Sequence, residues 1–108
     1  ILKGNVKKFE KKNFENENII IPHTGWNEIF LNKKNNIFKN ISSGNFMYFV
    51  HSYYVEPFNK EIILTTTTYN NFNFCSSISF ENIYACQFHP EKSGQKGLEI
   101  YKNFKENF

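Results

Sequence analysis

The chain has 108 residues, 40% of them hydrophobic and 19% aromatic, and a formal net charge of +3. That length bounds it to one domain at most, and that apolar content excludes a disordered tail. Every basic residue is lysine and every acid is glutamate; without arginine for bidentate phosphate or guanine contacts, no nucleic-acid partner is expected.

Residues 4–18 are polar and rich in lysine and asparagine, with Val6 and Phe9 as inward anchors, and read as a surface strand and turn. Ile19-Ile20-Ile21 is a short apolar run stopped by Pro22, predicting a buried strand end. Residues 31–45 are polar, with a loop signal at Ser42-Ser43-Gly44-Asn45. Phe46 to Val55 is dense in aromatic and β-branched residues and predicts a strand stopped at Pro57. Glu61 to Tyr69, with Ile62, Ile63, Leu64 and its threonines, predicts another. An Asn70-Asn71 turn leads to Phe72–Phe80, and Glu81-Asn82 leads to Ile83–Phe88, so hairpins are expected. The period then changes: Leu98, Tyr101, Phe104 and Phe108 recur at helical spacing among Lys102, Lys105 and Glu106. This predicts one amphipathic helix capped near Ser93, with that stripe facing inward. One helix covers only part of one sheet face, so the remaining layers are expected from outside these residues.

No apolar run approaches the ~20 residues of a membrane span, and no signal peptide is read, so no membrane partner is expected. Cys75 and Cys86 form neither a C-x-x-C pair nor a disulfide framework. No metal or cofactor site is therefore implied, and free thiols point to a reducing cytoplasm. The sequence opens at Ile1 rather than methionine, which suits a piece of a longer chain.

The sharpest local feature is Gln87-Phe88-His89-Pro90-Glu91-Lys92-Ser93. A strand delivers His89 at its end, and Pro90 stops the ladder because it has no N–H to donate. A turn through the fixed φ of Pro90 can fold the Glu91 carboxylate back onto the imidazole. A carboxylate on one ring nitrogen fixes the tautomer and leaves the other to take a proton, the base half of a nucleophilic triad. Alone, the tripeptide also fits an ordinary solvated turn.

Three segments together narrow the reading: Pro22-His23-Thr24-Gly25-Trp26-Asn27, Tyr48-Phe49-Val50-His51-Ser52-Tyr53-Tyr54, and Gln87 through Gly94. In order and spacing they resemble the glutaminase subunit of imidazole glycerol phosphate synthase, within the class I glutamine amidotransferase superfamily. Gly97-Leu98 and Asn103-Phe104 also look like that family's last helix. The resemblance implies an α/β, flavodoxin-like fold, of which residues 1–108 are the C-terminal part of a single domain, with later strands, hairpins and one helix. It implies that His89 is the general base and acid and Glu91 its orienting partner, acting on a cysteine that releases ammonia from glutamine. The ammonia passes to a (β/α)8-barrel synthase subunit in histidine biosynthesis. Backbone amides of Ser52 and Tyr53 would bind the substrate α-carboxylate. Trp26, Asn27 and Lys92 would face the barrel, with Tyr48 and His23 weaker candidates for the same face.

The family's nucleophile lies in a glycine-rich elbow ahead of these segments. Cys75, in a predicted strand, and Cys86, before Gln87, read as packed structural thiols. These residues alone are thus expected to hydrolyse no glutamine. His51, between Val50 and Ser52, reads as a packed or pocket-wall histidine rather than a second base. Two alternatives stay open: a paralogous amidotransferase serving amidination of surface sugars, and a noncatalytic module that keeps only the barrel-docking face.

Overall fold

The computed structural model describes residues 3–10 and 20–107. The strands are β1 (Gly4–Lys8), β2 (His23–Glu28), β3 (Phe30–Leu31), β4 (Phe46–His51), β5 (Tyr53–Pro57), β6 (Ile63–Tyr69), β7 (Phe72–Phe80) and β8 (Ile83–Cys86). One helix follows, α1 (Gly94–Asn107). A six-stranded sheet runs β1-β5-β7-β6-β3 with β8 also on β7, and β2 and β4 pair separately; all of these pairings are antiparallel.

The hairpins follow their turn chemistry. Asn70 and Asn71 both take positive φ (49° and 68°), as a two-residue loop matched to strand twist requires, and asparagine tolerates that region. The β7–β8 turn places Glu81 at φ 55°. The stretch from Phe46 is interrupted: β4 ends at His51, Ser52 forms the bend, and β5 leaves for the other sheet. That change of sheet decides where the functional residues lie.

The core gathers Phe9, Met47 and Phe49 of β4, Leu64 of β6, Phe74 of β7, Phe88 and Ile100 of α1. Phe9 is its hub on one side, with Tyr54, Phe74 and His51 within 5.0–5.4 Å of its ring centre.

Several expectations need correction. Val6 is exposed, so among the described residues of the first segment Phe9 is the buried anchor. Residues 20–22 carry no strand and Ile20 is exposed; the strand starts at His23, after proline, and Ile19 lies outside the described residues. Lys60–Ile62 is a 3-10 turn capped by the Asn59 side chain, so the strand expected from Glu61 begins at Ile63.

The helix forms where its period predicts but turns a different face inward. Its buried residues are Gly97, Ile100 and Asn103, while Leu98, Tyr101 and Phe104 remain largely exposed and Phe108 lies outside the described residues. Two specific contacts outweigh the apolar stripe. At Gly97 a side chain would run into the Pro90 carbonyl and meet Ser93 Cβ at 2.7 Å, so only glycine permits this approach. Asn103 Nδ2 donates to the carbonyls of Ile37 and Lys39 at 3.0 and 2.8 Å, satisfying backbone that would otherwise be buried unpaired.

Candidate active site

The segment after β8 leaves β7 and runs onto β4. Gln87 N–H still donates to Ser76 O (2.8 Å), but His89 N–H donates to Tyr48 O (2.9 Å). Ser93 locks this crossing: its Oγ accepts from Tyr48 N–H at 2.9 Å and donates to His89 O at 2.6 Å. The hydroxyl expected to cap α1 is thus spent holding the backbone on both sides of His89. Pro90–Lys92 forms a 3-10 turn, with Ser93 N–H on Pro90 O (3.0 Å), and Gly94 at φ +65° lets the chain enter α1.

This turn folds Glu91 back. His89 Nδ1 lies 3.1 Å from Glu91 Oε1, and the two side chains are 39% and 49% exposed. Since a carboxylate only accepts, Nδ1 carries the proton and Nε2 becomes the basic nitrogen. Among the described residues nothing hydrogen-bonds Nε2. Exposed ion pairs contribute little stability. The arrangement is better matched to proton transfer than to holding the fold.

Among the described residues, neither thiol hydrogen-bonds His89. Cys75 is buried, gives its S–H to Ser77 O, and burial pushes it up to about 11. Cys86 lines an apolar groove of about 240 Å³ between β7, β8 and α1 with Tyr84, Tyr101 and Phe104. The residue is nevertheless exposed, which corrects the packed thiol expected at this position; desolvation by the groove around its sulfur, with Glu91 adding, raises it to about 11. A thiol held protonated at neutral pH is a poor nucleophile.

Trp26 and Tyr48 are opposed across β2 and β4, their rings edge to face at 5.9 Å, and Trp26 is open to solvent. Trp26 also reaches toward Gly94 at the start of α1, and Lys92 is exposed beside Glu91. Trp26 and Tyr48 thus share one face of the β2–β4 pair. Asn27 turns inward: its Nδ2 meets Thr68 O (2.9 Å) and His23 Nε2 (3.2 Å), while its Oδ1 accepts from Glu28 N–H (2.8 Å). His23, expected at the exposed face, is instead 2% exposed, stacked between Phe49 and Tyr69. It sits at an inward position of β2, two residues before Gly25, where the alternation of strand faces puts it opposite His51.

Ser52 forms the bend between the two sheets and Tyr53 opens β5. Ser52 O accepts from Phe9 N–H (2.8 Å). Because C=O and N–H of a trans peptide point in opposite directions, the Tyr53 N–H is turned away from β1. His51, just before the bend, donates from Nδ1 to Tyr53 O (2.8 Å) and lies close enough to His89 for the second imidazole to disfavour its protonation. Residues 48–53 and 87–93 therefore converge. Sequence reasoning missed the Ser93 clamp and the buried histidine pair; a strand face bearing His23 opposite His51 was the available signal for the second.

The glutamine amidotransferase class-I family model matches residues 5–107. The chain belongs to that family. It is 44% identical over 105 residues to the imidazole glycerol phosphate synthase subunit HisH of Pyrococcus furiosus, covering 97% of this chain and 50% of that protein. It is 48% identical over 85 residues to the HisH subunit of Aquifex aeolicus, covering 79% and 41%. The chain spans about half the length of these relatives. A crystal structure assigned to a GMP synthase subunit from Thermoplasma acidophilum matches with a TM-score of 0.68 at 21% identity, covering 94% of this chain and 46% of that one. The fold is thus that of a class I amidotransferase in part: mostly strands with a single closing helix, consistent with a partial flavodoxin-like domain. Among the described residues no helix is long and apolar enough to cross a membrane.

Proposed function

We propose that residues 1–108 are the later part of one class I amidotransferase domain, and that the complete protein is the glutaminase subunit of imidazole glycerol phosphate synthase. In this reading the protein hydrolyses glutamine to glutamate and ammonia in the cytoplasm and passes the ammonia to a (β/α)8-barrel synthase in histidine biosynthesis. The observation that carries it is the 3.1 Å bond from His89 Nδ1 to Glu91 Oε1, with Nε2 left as the basic nitrogen. Identities of 44–48% to HisH subunits support the choice of pathway.

The chemistry divides among named groups. His89 Nε2 takes the proton of a thiol supplied from outside residues 1–108, and the thiolate sulfur attacks the glutamine side-chain carbonyl. His89 then returns the proton to the departing ammonia, while Glu91 stabilises the transient imidazolium. Water releases glutamate from the thioester through the same base. Ser52 and Tyr53 amides bind the substrate α-carboxylate. Trp26, Tyr48 and Lys92 meet the barrel, and Asn27 supports that face from behind. Without the external thiol, residues 1–108 turn over no glutamine.

The test replaces His89 with alanine in the complete protein assembled with its synthase. Glutamine-dependent ring synthesis is expected to vanish while ammonia-dependent synthesis persists. Glutamine-dependent turnover that survives the change removes His89 from the mechanism; activity only with a nucleotide-sugar acceptor moves the protein to another pathway.

A further inference from the structure

A second histidine site lies behind the dyad. His23 Nδ1 and His51 Nε2 are 2.9 Å apart, and both rings are buried. Tyr53 O can only accept, so His51 Nδ1 carries a proton. In a neutral ring, His51 Nε2 then accepts, and the proton between the rings belongs to His23 Nδ1. His23 Nε2 accepts in turn from Asn27 Nδ2, whose other hydrogen goes to Thr68 O. Each donor and acceptor is used once. The sequence of bonds joins β2, β4, the start of β5 and the end of β6, stitching together two sheets that share no backbone ladder.

We propose that His51 and His23, both neutral and both in the Nδ1–H tautomer, are positioning residues that fix the Tyr53 peptide and so aim the glutamine-binding amides at the Ser52 bend. The inference rests on the amidotransferase reading for what is bound there. Two pins hold the bend from opposite sides: Phe9 N–H on Ser52 O and His51 Nδ1 on Tyr53 O. Neither contact reaches substrate itself. An added proton on either ring ends as an N–H aimed at the Asn27 amide nitrogen, which has nothing to accept with. The titratable groups facing the pair are each ring for the other, Tyr69 stacked on His23 at 4.1 Å, and His89 beyond His51; Phe9, Phe49 and Phe74 fill the remaining sides. Burial and then His51 push His23 down to about 4, and burial with His89 lowers His51 against the opposing pull of the Tyr53 carbonyl. The neutral order therefore holds at physiological pH.

The test uses the complete protein with its synthase. Nitrogen-detected imidazole spectra should show both rings as the neutral Nδ1–H form at pH 7; an Nε2–H tautomer on His51 overturns the proposal. In steady-state assays, His51→Phe should raise the KM for glutamine about five- to tenfold, the loss expected of one orienting hydrogen bond, with kcat nearly kept. His51→Asn, whose amide reproduces the Nδ1 donor, should recover most of that loss. A fall in kcat with KM unchanged, or no rescue by asparagine, also overturns it. A wild-type protein that turns over no glutamine sinks the amidotransferase reading instead, and the ring spectra then decide the histidine chain alone.

Discussion

Two imidazole sites sit side by side and live in opposite environments. His89 stands three residues past the end of β8, with a carboxylate on Nδ1 and solvent within reach; His23 and His51 are buried under aromatic rings, and their described hydrogen-bond partners are neutral. The same side chain is placed to exchange protons in one and prevented from doing so in the other. Burial without a counter-charge penalises the charged ring. In the proposed reading the contrast separates roles that residue type alone does not: a base at 89, scaffolding at 23 and 51.

The largest effect that would break this contrast comes from exchanging losses. His89→Gln in the complete protein should cut glutamine hydrolysis about 10²–10⁴-fold and leave the unfolding midpoint almost unmoved. His23→Gln should instead destabilise the fold, with kcat retained by whatever stays folded and the KM for glutamine raised. Equal effects at both positions on both readouts would erase the distinction.

Acid sharpens it next. His23 is held down at about 4 from its usual 6.5 by burial and then by His51. A base whose folded value is depressed contributes stability present above pH 6.5 and lost as pH falls toward 4. The shift corresponds to roughly 3 kcal/mol at most. Denaturant unfolding between pH 7 and 4 should show this slope, and His23→Phe should flatten it.

Gly97→Ala tests the footing of the dyad. The new methyl would collide with the Pro90 carbonyl and Ser93 Cβ, so α1 must back away from the turn bearing Glu91. A loss of about 1–3 kcal/mol in thermal unfolding is expected, together with weaker catalysis in the complete protein. The smallest effect belongs to Glu91→Gln, which should change stability by less than about 1 kcal/mol, because an exposed pair contributes little. Its catalytic penalty should be clearly larger than its thermodynamic one.

Much of the fold was legible because its signals are local. The Asn70-Asn71 hairpin and the β7 span Phe72–Phe80 each depend on residues adjacent in sequence, whereas the strand expected to run to Phe88 and stop at Pro90 ends at Cys86. The contact between His89 and Glu91 was legible for the same reason, the two being two residues apart across a rigid proline. The inward face of α1 was not, because a glycine contact and an asparagine capping distant carbonyls outweighed its apolar stripe. His23 was misjudged because its partner lies 28 residues away and is reached only by strand pairing. The break at Ser52 was hidden within an unbroken aromatic run, yet it sends β5 to a different sheet.

The central claim is that His89 serves a thiol outside residues 1–108. It is tested most directly by treating the complete protein with a glutamine analogue bearing a thiol-reactive diazoketone, then mapping the adduct by peptide mass spectrometry. The adduct is expected on a cysteine that is neither Cys75 nor Cys86, and to form far more slowly in the His89→Ala variant. Labelling of Cys75 or Cys86, or labelling indifferent to His89, would contradict the account.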